Sequence, residues 1–264
     1  MLRALIWDVD GTLAETEEQG HRSAFNQAFA EQGQPWHWDE ARYGGLLAIT
    51  GGKERLLHAW QQTDPVAAAA PEAAQQVAHL HARKTAIYLE RVKNGAVVLR
   101  PGVGRLLRQA RQQDVLLAIA TTTTPANVRG LLTATLGASS LSWFACIAAG
   151  DQVARKKPSP DVYQRVLQTL GLPADDCLAI EDSAVGAESA RAAGLAVLIT
   201  RSRYTRADAL PPVLADLDGL GEPGEPARGR VFDLSDGQPW QGVVDVDGLR
   251  HWQRLALAAA ARGR

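Results

Sequence analysis

Four short, wholly apolar runs set the limits on what this chain can fold into: Ala-Leu-Ile-Trp at 4–7, Val-Leu-Leu-Ala-Ile-Ala at 115–120, Cys-Leu-Ala-Ile at 177–180 and Ala-Val-Leu-Ile at 196–199. A strand with one wet face alternates apolar and polar residues. A run with no polar member suits a strand covered on both faces, as in a parallel sheet. A weaker fifth run lies at 144–149. Helical signals fall between the runs. Val103, Leu106, Leu107 and Ala110 form a helical stripe within 102–113. Thr124 and Pro125 open a helix over 124–136; Ser159 as N-cap, Pro160 as first residue and Gly171 as stop frame another over 159–170. Strand and helix alternating on short connections predict an α/β fold, a Rossmann-like parallel sheet core.

Residues 14–97 break the alternation. They hold no strand-like run but carry helical patterns at about 16–32, 39–48, 52–62 and 70–92, so they read as an inserted helical cap domain. Asn94-Gly95 marks its exit. The α/β core is then 1–13 plus 98–218. A Gly/Pro-rich stretch at 219–229 opens a C-terminal tail, 219–264, with room for a short hairpin and a last helix.

Charge and cysteine usage narrow the function. Lys+Arg total 28 against 29 Asp+Glu, a formal net charge of -1, which argues against nucleic-acid binding by bulk charge and against a polybasic membrane anchor. Two cysteines, Cys146 and Cys177, are too few for a disulfide framework or a thiolate zinc site. The apolar N-terminal run stops at Asp8, short of a signal peptide, and no window reads as a transmembrane helix. A cytoplasmic location is the expectation.

The chemistry gathers at the ends of the apolar runs. Asp8-Val9-Asp10-Gly11-Thr12 follows the first, where α/β sheets bind ligands. Two carboxylates at i and i+2 point to one side of an extended chain and repel unless a cation or proton intervenes, which suggests Mg2+. Thr121-Thr122-Thr123-Thr124 follows the second run, with a helix start just behind it offering amide donors to an anion. Gly150-Asp151 and Lys156-Lys157-Pro158 come next, a lysine there being a natural phosphate counter-charge. Glu181-Asp182-Ser183 ends the third run and would complete a cation site.

This set, in this order, resembles the haloacid dehalogenase superfamily over residues 1 to about 205. Asp8 and Asp10 match its first motif, Thr121 the second, Lys157 the third and Glu181-Asp182 the fourth. The segments at 15–29, 50–55, 120–128, 150–163 and 181–194 look like the CbbY type within it, linked to carbon fixation. The resemblance implies a phosphatase acting on xylulose-1,5-bisphosphate, with Asp8 as nucleophile and Asp10 as general acid and base. It implies Mg2+ held by Asp8, the backbone carbonyl of Asp10, and Asp182, with Glu181 a ligand through water or only an acceptor behind it. Thr121 and Lys157 would hold the transferring oxygens, and Lys156 would be a solvated neighbour. Cap-bearing relatives also imply a monomer. A β-phosphoglucomutase-like phosphotransferase and a non-catalytic binding protein are the alternatives.

The cap is expected to choose the substrate, a phosphorylated sugar. Thr50-Gly51-Gly52-Lys53-Glu54-Arg55 sets two cations in the first turn of a helix, where they oppose its dipole. A second substrate phosphate would explain them; a glycine turn with surface charges is the plainer alternative. Glu17 would accept sugar hydroxyls or lie solvated at a helix start. His81 and Lys84 share a helix face, either toward the distal phosphate or as a surface pair. Thr122 and Thr123 touch substrate or merely support their turn, and Thr124 reads as a helix cap. His21 lies one residue further from Asp10 than the β-phosphoglucomutase pattern has it, so that family's cap-histidine role is not carried over. The second Asp-Val-Asp-Gly, at 245–248, reads as a β-turn. Trp36, Trp38 and Trp240 read as packing residues rather than a sugar platform.

Overall fold

A computed structural model describes residues 1–232 and 237–262. Each apolar run becomes a strand: β1 (Ala4–Trp7), β2 (Leu116–Thr121), β3 (Phe144–Ala149), β4 (Cys177–Glu181) and β5 (Ala196–Thr200). They pair in parallel in the order β3-β2-β1-β4-β5. The sheet continues through β6 (Ala215–Leu217), parallel to β5, and then through β7 (Ala227–Val231) and β8 (Gln238–Gly242), which are antiparallel. Part of the 219–264 segment is therefore built into the core sheet as a hairpin.

The continuity of the runs has a direct cause. In β1, Leu5 and Trp7 enter one apolar cluster while Ala4 and Ile6 enter another on the opposite face. Both faces are covered, so neither tolerates a polar residue.

The insertion is helical. A π turn at Glu17–Arg22 runs into α1 (Ser23–Glu31), followed by α2 (Glu40–Leu46), α3 (Gly52–Thr63), α4 (Pro65–Ala68) and α5 (Ala73–Lys93). Phe25, Phe29, Trp38, Tyr43, Leu56 and Trp60 form a separate aromatic core inside it, with Trp36 packed against them. Helix α5 belongs to both bodies. Its Val77 and Leu80 pack in the cap, while Ile87, Tyr88 and Val92 pack in the main core. His81 and Lys84 lie at that junction and are buried, so they are not a surface pair.

Around the sheet run α6 (Val103–Gln112), α7 (Pro125–Leu136), α8 (Asp161–Leu170), α9 (Ala184–Ala192) and α10 (Val246–Arg262). Thr124 caps α7 by accepting from the Asn127 amide. At α8 the Ser159 expectation is corrected: the helix begins at Asp161, Pro160 holds the cap position, and the Ser159 hydroxyl donates to Asp161 Oδ1 instead of accepting from the first amides. Gly171 ends the helix in the left-handed conformation, as expected. The β-turn reading of 245–248 is also corrected. Asp245 Oδ1 accepts from the Gly248 amide at 2.7 Å, which makes it a helix N-cap. Trp240 packs against the main core and meets Trp252 edge to face.

Candidate active site

Strands β2, β1 and β4 are neighbours, so Thr121, Asp8 and Glu181-Asp182 emerge side by side at their carboxyl ends. This is where a parallel sheet leaves its strand ends open to a ligand. All are buried: Asp8 7%, Thr121 1%, Glu181 1% and Asp182 5% exposed. Gly11 lets the chain turn away at φ +84°, and a Cβ there would stand 2.2 Å from Asp182 Oδ2. No residue with a side chain fits this bend.

Lys157 enters from the loop before α8 with three partners. Its ammonium donates to Asp8 Oδ1 at 2.6 Å, Glu181 Oε1 at 2.6 Å and the Ala120 carbonyl at 2.9 Å. Tyr163 donates to the same Glu181 oxygen at 2.6 Å. One ammonium thus faces three buried carboxylates, Asp8, Glu181 and Asp182, whose oxygens lie within 4.8 Å of one another. Burial pushes the Asp8 carboxyl up to about 8; Lys157 opposes this and Glu181 adds to it. Burial, Asp8 and Glu181 together push Asp182 well above the carboxylate range. Burial acts to lower the Lys157 ammonium, yet its two carboxylate partners hold it above its ordinary range. The excess negative charge and all-oxygen donor set fit a hard divalent cation. Glu181 already serves Lys157 and Tyr163 through Oε1, while its Oε2 accepts from the Asp182 amide at 3.3 Å.

Asp10 faces away from that cluster toward the cap. Its Oδ1 accepts from the Thr16 hydroxyl at 2.6 Å and lies 2.9 Å from His21 Nε2. The Lys84 ammonium, which can only donate when charged, is 2.8 Å from His21 Nδ1. His21 must therefore carry its proton on Nε2 and donate it to Asp10. Burial would raise the Asp10 carboxyl, but His21, Thr16 and Lys84 outweigh it and hold the group below the usual carboxylate range. Burial lowers Lys84 to about 8 despite Asp10 and Glu17.

His21 is the residue whose sequence reading needs correction. Its extra residue of separation from Asp10 falls in the π turn, where the His21 amide bonds back to the Thr16 carbonyl. A π turn takes up one residue more than an α turn, so the ring still reaches Asp10. Two further residues that sequence reading missed are Tyr163 and Tyr43. The Tyr43 hydroxyl donates to Glu17 Oε2 at 2.5 Å and accepts from Arg55 Nη1 at 3.1 Å, so Glu17 is held rather than solvated.

The remaining candidates close the cavity from the cap side. Glu17, Thr50, Gly51, Gly52, Lys53, Arg55, His81 and Lys84 line the same cavity as Asp8, Asp10, Thr121, Thr122, Thr123 and Lys157. Glu54 stands just behind, paired with Lys156 at 2.6 Å. Lys156 is therefore no solvated neighbour: only 14% of its side chain is exposed, and it joins the core to the cap. Thr50 Oγ1 donates to the Lys157 carbonyl at 2.6 Å, a second tie across the seam. Thr123 accepts from Asn127 Nδ2 at 3.0 Å, and its own amide reaches Thr121 Oγ1 at 3.3 Å. Burial, helped by Lys84, Lys53, His21 and Lys156, depresses His81 to about 3, so its ring is neutral.

A parallel sheet presenting an Asp-x-Asp pair, a hydroxyl, a buried lysine and an acidic pair, under an inserted helical cap, defines a phosphoryl-transfer hydrolase. Residues 2–194 match the model of the haloacid dehalogenase-like hydrolases. The plasmid-borne CbbY protein of Cupriavidus necator is 46% identical over 98% of this chain and 100% of its own length. CbbY of Rhodobacter capsulatus is 52% identical over 78% of this chain and 88% of its own. A crystal structure of a point mutant of CbbY from Rhodobacter sphaeroides in complex with xylulose-1,5-bisphosphate superposes with a TM-score of 0.76 at 40% identity, covering 83% of this chain and 95% of that one. The chain belongs to the haloacid dehalogenase-like hydrolase family, within its CbbY group, and is an enzyme of the sugar-phosphate phosphatase kind. Among the described residues no helix is long and apolar enough to cross a membrane.

Proposed function

We propose that this enzyme is a Mg2+-dependent phosphatase of small sugar bisphosphates, with xylulose-1,5-bisphosphate as substrate and an aspartyl-phosphate at Asp8 as intermediate. The observation that carries the reading is the division of labour between two neighbouring carboxylates. Asp8 faces Lys157 and the acidic cluster, while Asp10 is turned to Thr16 and His21. As they stand, these surroundings favour a proton on Asp8 and charge on Asp10, so the proposed roles require a bound cation to bring the Asp8 carboxyl down and the substrate's phosphate charge beside Asp10 to bring that carboxyl up.

In the first half-reaction an Asp8 carboxylate oxygen attacks phosphorus, and the bond from phosphorus to the sugar oxygen breaks. Asp10 delivers the proton that the departing sugar oxygen requires. In the second half, Asp10 takes a proton from water, the water oxygen attacks phosphorus, and phosphate leaves with Asp8 restored. Thr121 and Lys157 hold the transferring oxygens, since such a transition state asks chiefly for positioning and charge. Asp8, Asp182 and the backbone carbonyl of Asp10 would hold Mg2+, with Glu181 beside them; the bound ion offsets phosphate charge. In the cap, Glu17, fixed by Tyr43, accepts sugar hydroxyls. Lys53, Arg55, His81 and Lys84 surround the remainder of the substrate and its second phosphate. A neutral His81 would donate a hydrogen bond there without adding charge. The enzyme is proposed to act as a cytoplasmic monomer.

Phosphate release from a panel of sugar mono- and bisphosphates, with and without Mg2+, tests this. The expected result is the highest kcat/KM on a ketose bisphosphate and dependence on the metal. Failure on every bisphosphate together with efficient conversion of β-glucose 1-phosphate would contradict it and favour a phosphotransferase.

A further inference from the structure

At the seam between cap and core, one carboxylate sits between two lysines. Asp151 follows β3 on the core side, next to Gly150. Its Oδ2 accepts from Lys53 of the cap at 2.6 Å, and its Oδ1 is 3.1 Å from Lys156 of the core. Lys156 also reaches Glu54 of the cap at 2.6 Å. Asp151, Lys53 and Lys156 all line the cavity that holds Asp8. The arrangement is an anion held by two cations from opposite bodies, with the anion itself 61% exposed.

We propose that Asp151 is an internal competitor that moderates affinity for a bisphosphate: its carboxylate occupies the place between Lys53 and Lys156 that a substrate's second phosphate takes. The inference rests on the bisphosphate reading above. Two features make the exchange reasonable. The Asp151 side chain is 61% exposed and that of Lys53 42%, and an exposed ion pair is weak and cheaply broken; Lys156 is only 14% exposed but keeps Glu54 as a partner when Asp151 leaves. A phosphate dianion brings more charge and more acceptor oxygens to the same two lysines than a carboxylate does. Gly51, at φ +92°, keeps the approach narrow. A Cβ there would be strained by that φ and would push aside the ends of Lys156, at 2.7 Å, and Glu54, at 2.2 Å. Once the first phosphate has been hydrolysed, the product still carries the second. Return of Asp151 to its lysines then favours release, and a ligand with one phosphate at the nucleophile never engages the exchange.

The test is a titration of two ligands, xylulose-1,5-bisphosphate and phenyl phosphate, against Asp8→Asn enzyme, which binds without turnover. Each is measured with Asp151 intact, with Asp151→Asn and with Asp151→Glu. Removing the competing charge should lower Kd for the bisphosphate about threefold to fivefold, the span of one exposed ion pair. The Kd for phenyl phosphate should stay within about twofold, and Asp151→Glu should restore the original bisphosphate value. An unchanged bisphosphate Kd, or an equal shift for both ligands, overturns the role of Asp151 alone. If the enzyme with Asp151 intact binds the bisphosphate no more tightly than phenyl phosphate, the bisphosphate reading itself falls.

Discussion

His21 Nε2 lies 2.9 Å from Asp10 Oδ1, and the π turn between them is what brings the ring there. The ring is stacked on Tyr88 at 4.2 Å and held at its other nitrogen by Lys84. His21 thus fixes the direction of the acid–base carboxylate without touching phosphorus. His21→Gln should lower kcat about 10²-fold, within the range such catalysis supplies. KM should change little, because ground-state binding is not its task. Steady-state kinetics check this; a raised KM at unchanged kcat would assign His21 to substrate binding instead.

Glu181 is confined as tightly. A Cβ on Gly186, in the first turn of α9, would stand 2.0 Å from Glu181 Oε2 and 2.3 Å from Oε1. Gly186 has an ordinary helical backbone, so Gly186→Ala stresses only that contact. The variant should fold, yet lose about tenfold or more in kcat as Glu181 is pushed from Lys157. Kinetics together with a melting curve separate this from general unfolding.

Much of this was legible in the sequence, for reasons that explain what was not. Buried parallel strands must be apolar on both faces, so β1, β2, β4 and β5 announced themselves, and the groups at their ends followed. Lys157, before Pro158, was legible through its motif. His21 was not, because an α-helical count places it wrongly and only the π turn repairs it. Lys156 was misread because its partners, Glu54 and Asp151, lie 102 and five residues away on opposite sides of a seam. Tyr43 and Tyr163 carry no signal in the sequence; both are buried aromatics. That their hydroxyls also serve Glu17 and Glu181 is a fact of packing.

Stability should respond to His81. Its folded pKa of about 3 lies below its ordinary 6.5, so the unfolded chain binds the extra proton between these values. The contribution is fully present above about pH 6.5 and is lost as pH falls toward 3. Near pH 5 the loss should be about 2 kcal/mol. Denaturant titrations of wild type and His81→Gln across this window should show the smaller acid sensitivity in the variant. Equal slopes would mean that the His81 ring is not held neutral.

Metal should act on stability as well as activity. Three buried carboxylates repel one another around a single ammonium, so a cation that binds only the folded state raises the melting temperature. Mg2+ should therefore stabilise wild type, restore activity after chelation, and do neither for Asp182→Asn. Differential scanning fluorimetry with and without Mg2+ reads the first effect independently of turnover.

The central claim is covalent catalysis at Asp8. The most direct measurement is rapid-quench mass spectrometry of the enzyme mixed with xylulose-1,5-bisphosphate and Mg2+, followed by peptide mapping. The account predicts a base-labile phosphoryl group on the peptide containing Asp8, formed and lost within one turnover and absent from Asp8→Asn. Full turnover with no phosphopeptide at any quench time, or Asp8→Asn at the wild-type rate, would contradict it.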